Sequence, residues 1–172
     1  MRSHLSLVNQ KVSFASATLS LLESDPDARK KKPLVQKALC ESVLLHLYTA
    51  FHFYLRELAG SNGIKNPETI NSLPSLVGVL NQSGKHPSEV IELQDLAAHQ
   101  GSWLNSFLVQ YEDVFKSPPM PIEKKSFGAE NFIELVDVTG QQVKSLDIDS
   151  LHYWLSEFKS LVLRQRETGA EY

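Results

Sequence analysis

Residues 43–55 carry apolar side chains on nearly every side of the chain, broken by His46 and His52. A membrane-spanning helix needs about 20 apolar residues, and this stretch has about 13 before charge appears. An apolar helix too short to span a bilayer has to be wrapped by other helices of the same protein. The spacing predicts that this core helix begins near Asp27 or Pro33 and runs to Ala59. Proline suits a first turn, where its missing N–H is not needed. Gly60-Ser61-Asn62-Gly63 supplies the stop, since glycine readily takes the left-handed conformation that follows many helix ends. The rest of the sequence must therefore provide apolar faces to surround this element.

Helical stripes occur on both sides of it. Leu5, Val8, Val12, Ala15, Leu19 and Leu22 alternate by three and four, which puts them on one face. Ser3 is placed to cap that helix, and Ser24-Asp25-Pro26-Asp27 ends it. Ile70, Leu73, Val77 and Leu80 predict a short helix opening near Ser72, with Pro74 in its first turn. Residues 81–86 read as loop. Pro87 is expected in the first turn of the next helix, whose stripe is Val90, Leu93, Leu96 and Ala97. Gly101 breaks or bends it. Trp103, Leu104, Phe107, Leu108, Tyr111, Val114 and Phe115 then form a strongly amphipathic run. The last helix is expected from Asp147, with Ile148, Leu151, Trp154, Leu155, Phe158, Leu161 and Val162 turned inward and the cations Lys159, Arg164 and Arg166 toward its C-terminal half, where they suit the helix dipole.

One stretch breaks the pattern. From Ser117-Pro118-Pro119-Met120-Pro121 to Leu146 there is no helical period. Phe132-Ile133-Glu134-Leu135-Val136-Asp137-Val138 is β-rich and is followed by Thr139-Gly140 and Gln142-Val143-Lys144, so a small β-like excursion is expected over residues 132–144. The expected fold is all-α: an up-and-down bundle of five or six helices in one domain, residues 1–172. Residues 117–146 form a long irregular connection or hairpin within it.

With 172 residues and ordinary composition, the chain can bury a core without staples. Its pI near 6.1 and net charge of -3 give no global attraction to nucleic acid or anionic membrane. Cys40 is the only cysteine, which excludes an intrachain disulfide and suits a reducing compartment, the cytoplasm. The first 22 residues do not read as a signal peptide, because Asn9, Gln10, Lys11 and several serines interrupt any apolar centre.

Several constellations bear on function. Tyr48, His52 and Arg56 step by four along the core helix and make a polar seam on it. Such a seam can line a cleft and supply a proton donor, a base and an anion clamp, or it can mark where the helix meets a polar neighbour. These three are the candidate binding residues, for a small ligand or a hydrolase site. His46, His99 and His152 also fall in helices, with Asp95 four residues before His99 and Asp149 three before His152. No His-Glu-x-x-His or His-x-x-x-His occurs, so neither a metal nor a cofactor is expected. No arginine precedes a histidine by the four to six residues that helical toxin ribonucleases use. Arg29-Lys30-Lys31-Lys32, with Lys159, Arg164 and Arg166, defines a nucleic-acid-associated alternative through phosphate contacts. However, Asp25 and Asp27 flank the run and no aromatic residues are interleaved for base stacking. No P-loop, Gly-x-Gly-x-x-Gly or Gly-x-Ser-x-Gly is present.

Four pieces in order, touching nearly the whole chain, resemble an uncharacterised family of small helical bacterial proteins, a domain of unknown function found mainly in gammaproteobacteria. They are Asn9-Gln10-Lys11-Val12-Ser13-Phe14-Ala15, His46-Leu47-Tyr48 with Glu57-Leu58-Ala59-Gly60, Trp103-Leu104 with Tyr111 and Phe115, and Trp154 with Leu161-Val162-Leu163-Arg164-Gln165-Arg166-Glu167. The resemblance implies a cytoplasmic helical domain and transfers no catalytic residue. The expectation is a non-enzymatic interaction or scaffold protein, with a protein partner or itself as a homodimer, and no membrane. An exposed strand edge at residues 132–138 is one expected route to such a partner, because unpaired backbone groups recruit a further strand.

Overall fold

The structure is a computed structural model and describes residues 3–24, 33–116 and 146–169. Within them lie six α-helices: α1 (His4–Ser24), α2 (Pro33–Ser61), α3 (Leu73–Gln82), α4 (Ser88–Ala98), α5 (Trp103–Asp113) and α6 (Ile148–Gly169). A single 3-10 turn, Pro67–Thr69, joins α2 to α3. The described residues contain no strand. The β-like excursion expected over residues 132–144, and the strand edge within it, lie outside the described residues.

Side-chain pairings give the helix directions. Asn9 of α1 accepts from Arg166 of α6, Ser16 from Lys159, and Glu23 meets His152. Each step of seven residues forward on α1 is a step of seven backward on α6, so the two are antiparallel. Straight helices drift by about 20° per seven-residue repeat. Keeping the register over three pairs therefore requires a slow winding of one helix around the other, as in four-helix bundles. Phe51 and Glu57 of α2 meet Phe158 and Arg166 of α6, so these two run parallel. Phe51 and Tyr48 meet Phe107 and Tyr111 of α5, which makes α5 antiparallel to α2. With α1 and α5 running one way and α2 and α6 the other, the expected up-and-down arrangement is the one found.

The core forms around α2. Val43, Leu44, Leu47, Ala50, Tyr54, Leu55 and Ala59 are essentially sealed from solvent. The rings of Phe51, Phe107 and Phe158 meet edge to face at 6.4 Å, the geometry favoured by the ring quadrupole. The envelope is incomplete on one side. Leu45 keeps 41% of its surface exposed, because no described helix covers the outward stripe of α2 at that level.

The starts and stops follow from local chemistry. Ser3, Ser72, Ser102 and Asp147 each accept a backbone N–H three residues on, from Ser6, Ser75, Asn105 and Ser150. That satisfies donors which a helix N-terminus leaves without a partner. Gly63, at φ +75°, turns the chain out of α2 as its N–H bonds the Gly60 carbonyl. Gly101, at φ +91°, separates α4 from α5, so the two are distinct helices and not one kinked helix. Pro87 proves to be the residue capping α4 in extended conformation, not a member of its first turn. The hairpin of α3 and α4 closes the end of the bundle where α2 and α6 finish. There Lys85 donates to the Asn62 carbonyl and Arg164 grips Glu92.

Truncating Leu47 to alanine should cost about 2–5 kcal/mol by urea denaturation, the range for a sealed leucine. Leu45→Ala, on the open stripe, should change stability by less than about 0.5 kcal/mol. Equal effects would contradict the burial pattern.

Candidate functional site

The sequence places Tyr48, His52 and Arg56 on one stripe of α2, and the structure divides them. His52 Nε2 lies 3.0 Å from the Ile70 carbonyl oxygen, and Arg56 Nε donates to the same oxygen at 3.0 Å. A carbonyl has two lone pairs, so one oxygen accepts both. This pairing assigns His52 the tautomer with its proton on Nε2. Arg56 Nη1 also reaches Glu68 Oε2 at 3.2 Å, and His4 Nε2 meets the other oxygen of Glu68 at 3.0 Å. His4, His52, Arg56 and Glu68 thereby stitch the 3-10 turn to α1 and α2. The anchor is Ile70, whose side chain is sealed in the core.

Electrostatics fits that role. Burial pushes the His52 imidazole below the usual histidine range, and the neighbouring Arg56 charge pushes the same way, against the pull of the Ile70 carbonyl. His52 is therefore held neutral, with its Nε2 proton committed to backbone.

Tyr48 points elsewhere. Its ring lies parallel to that of Tyr111 on α5, with centroids 3.4 Å apart and planes 3° off parallel. Phe115 meets Tyr111 edge-on at 5.1 Å. Burial, then Tyr111 and Glu112, push the Tyr48 hydroxyl upward, which removes it from acid–base work near neutrality. Tyr48 thus joins an aromatic ladder with Tyr111 and Phe115. The Phe115 ring is 69% exposed.

A second polar assembly escaped the sequence reading. Gln165 is 5% exposed, yet it makes three bonds. Its Oε1 accepts from Tyr54 at 2.6 Å, and its Nε2 donates to Glu92 at 2.7 Å and to the Glu89 carbonyl at 3.2 Å. Arg164 takes Glu92 with both terminal nitrogens, at 3.1 and 2.5 Å. Arg166 forks onto Glu57 at 2.7 and 2.8 Å. Arg164 holds the Glu92 carboxyl below its usual range, outweighing partial burial, and Gln165 adds to the effect. Burial drives the Tyr54 hydroxyl strongly upward. The available signal was the run Arg164-Gln165-Arg166 on a helix whose apolar face includes Phe158 and Leu161, seven and four residues before Gln165. A glutamine four residues from Leu161 and three from Val162 falls on the buried stripe and has to find partners.

The other residues singled out from sequence are placed as follows. His46 packs edge-on against Phe14 at 5.5 Å, His152 pairs with Glu23, and His99 lies exposed at the end of α4. Among the described residues no three of His, Cys, Asp and Glu gather as a metal site. Cys40 is buried, and burial raises its thiol pKa. Lys159, Arg164 and Arg166 are occupied by Ser16, Glu92 and Glu57. The run Arg29 to Lys32 lies outside the described residues. No helix among the described residues is long and apolar enough to cross a membrane.

These features define the class: an all-α bundle whose buried polar side chains are spent on holding helices together. The chain belongs to a family of unknown function, DUF6586, whose model matches residues 1–172. Neither the curated proteins nor the solved structures hold a match to it.

Two outcomes test this reading of the polar side chains. Gln165→Leu leaves the Tyr54 hydroxyl without its partner and removes one donor from Glu92, and should cost about 1–3 kcal/mol in denaturant titration, the penalty for an orphaned buried group. His52 has a folded-state pKa below the unfolded one, so the unfolded chain binds its proton first as pH falls. Its contribution is present in full above the unfolded value of 6.5 and declines as pH drops toward the folded one. Lowering pH from about 7 to about 5 should therefore depress Tm more in the wild type than in His52→Gln, which keeps a donor for Ile70. His46, depressed by burial and Lys11, adds to the slope in both proteins. Parallel Tm profiles would contradict this role for His52.

Proposed function

We propose that the chain is a non-enzymatic interaction module of the bacterial cytoplasm, working as a homodimer or scaffold. The observation that supports this reading is the face shared by α2 and α5. Leu45, Tyr48, Tyr111 and Phe115 form a contiguous apolar and aromatic strip, with Leu45 and Phe115 well exposed. Aromatic side chains offer large contact area at small entropic cost, which is why they concentrate at interfaces. The seam residues favour the same reading, because His52 and Arg56 spend their donors on Ile70 and Glu68.

The rim of the strip favours a second copy of the chain as occupant. On α2, Lys37 lies one turn before Glu41, and Lys116, just past the end of α5, lies four residues after Glu112. A rim of alternating sign is self-complementary, since a twofold axis sets each lysine of one copy against a glutamate of the other. A single-sign rim would repel its own copy. The single cysteine and the pI near 6.1 suit a reducing compartment without nucleic acid as partner.

Light scattering after gel filtration tests this directly. The wild type should run at twice the 19.3 kDa chain mass. Phe115→Asp and Leu45→Glu should run at the chain mass with unchanged helix content. A wild type that stays at the chain mass at high protein concentration, or variants that still dimerise, would refute it.

A further inference from the structure

We propose that the connection from α2 to α3, residues 64–70, is a latch on the outer face of α2 that opens separately from the bundle as the pH falls. The proposal is independent of self-association. Its basis is the way the connection is fastened. Ile70 is sealed and Ile64 packs half-buried against the core, so an apolar side chain pins each end. Between them no residue of Pro67–Thr69 is buried. The Thr69 and Ile70 amides bond within the turn, to the Asn66 and Pro67 carbonyls at 3.1 Å. A 3-10 turn this short does not persist once detached. Segments with so little buried apolar surface are the ones that open short of global unfolding.

The bonds from the connection to the bundle pass through two groups. Glu68 gives one carboxylate oxygen to His4 of α1 and the other to Arg56 of α2. The Ile70 carbonyl takes His52 and Arg56, both at 3.0 Å. Two nitrogens that close to one oxygen are at most about 6 Å apart, so a proton on His52 sets a second cation beside the Arg56 guanidinium. The other neighbours do little to offset it. Glu68 is already shared between His4 and Arg56. The helix α3 carries no charged residue, and on the α5 side Tyr111 and Glu112 act on Tyr48. His4 works the other way: as a cation it tightens its pair with Glu68 and opposes opening.

The direction of the response follows from these contacts. Burial holds the His52 imidazole neutral and Arg56 adds to it, together outweighing the Ile70 carbonyl bond. Detaching residues 64–70 wets the imidazole, so the open form takes up a proton more readily and acid favours it. The gain is bounded. With the ordinary histidine value of 6.5 in the open form, one pH unit below that value protonation favours opening by at most about tenfold. Opening frees His52 and Arg56 on the stripe of α2 that already lies open at Leu45.

Hydrogen exchange of the full-length protein, read by mass spectrometry and corrected for the intrinsic effect of pH, tests this. Between about pH 7.5 and about pH 5.5 the opening constant over residues 64–72 should rise several-fold, up to the tenfold limit, while residues 43–55 of α2 stay protected. His52→Gln keeps a donor for Ile70 but takes no proton, and should flatten the rise. Glu68→Gln removes the charge that His4 and Arg56 clasp, and should speed exchange over residues 64–72 at both pH values. Protection of residues 43–55 shows that each variant is folded. No rise in the wild type overturns the proposal, as does a rise of equal size in α2. So does a rise that His52→Gln leaves unchanged, or a Glu68→Gln variant that exchanges like the wild type.

Discussion

The hydrogen bond from Tyr54 to Gln165 sits where the structure has least tolerance for error. Tyr54 is among the largest sealed side chains of a core built mostly from leucine, valine and phenylalanine, and its hydroxyl needs a partner there. A hydroxyl taken out of water without a partner costs several times what a made hydrogen bond returns. Gln165 answers it and in turn needs acceptors for its own amide, which Glu92 and Glu89 of α4 provide. Through this chain of obligations the position of α4 depends on a tyrosine in α2. Apolar packing alone would let the α3–α4 hairpin slide, whereas hydrogen-bond geometry fixes one arrangement.

The same economy explains why α1 belongs to the bundle. Its inward face is modest, with alanine and valine among the leucines. Along its flank Asn9, Ser16 and Glu23 meet Arg166, Lys159 and His152 at seven-residue intervals. Each exposed pair adds little energy. Together they define register, because a slip of one residue on either helix breaks all three contacts. The Glu57 fork on Arg166 joins this line to α2, so α1, α2 and α6 share one polar corner.

Much of this was legible in the sequence. The apolar circumference of α2 set the architecture, and the caps at Ser3, Ser72 and Asp147 follow from side-chain oxygens that reach the third N–H. The helix period identified Tyr48, His52 and Arg56 as sharing a stripe. What period cannot give is the object each side chain meets. His52 and Arg56 converge on a carbonyl supplied by a 3-10 turn of three residues, too short to leave a period. Tyr48 meets Tyr111 because α5 runs antiparallel to α2, a fact of tertiary arrangement. Gln165 was visible as a polar residue on a buried stripe, but its partners are 111 and 73 residues away in the chain.

Polar capacity in this fold is unevenly spent, and that unevenness separates structure from function. At the end closed by α3 and α4, the long polar side chains named above are taken by a partner: His4, Arg56, Glu57, Glu68, Glu92, Arg164, Gln165 and Arg166 account for one another. Around α5 the pattern reverses. The amide of Gln110 makes no hydrogen bond among the described residues, and the ring of Phe115, just past the end of α5, is exposed. A protein gains stability by satisfying such groups internally or by removing them, so side chains held rigid yet unspent are the ones suited to meeting another molecule. The strip argued for binding lies on the α2 side of α5. The densely bonded opposite end holds α5 in place for it.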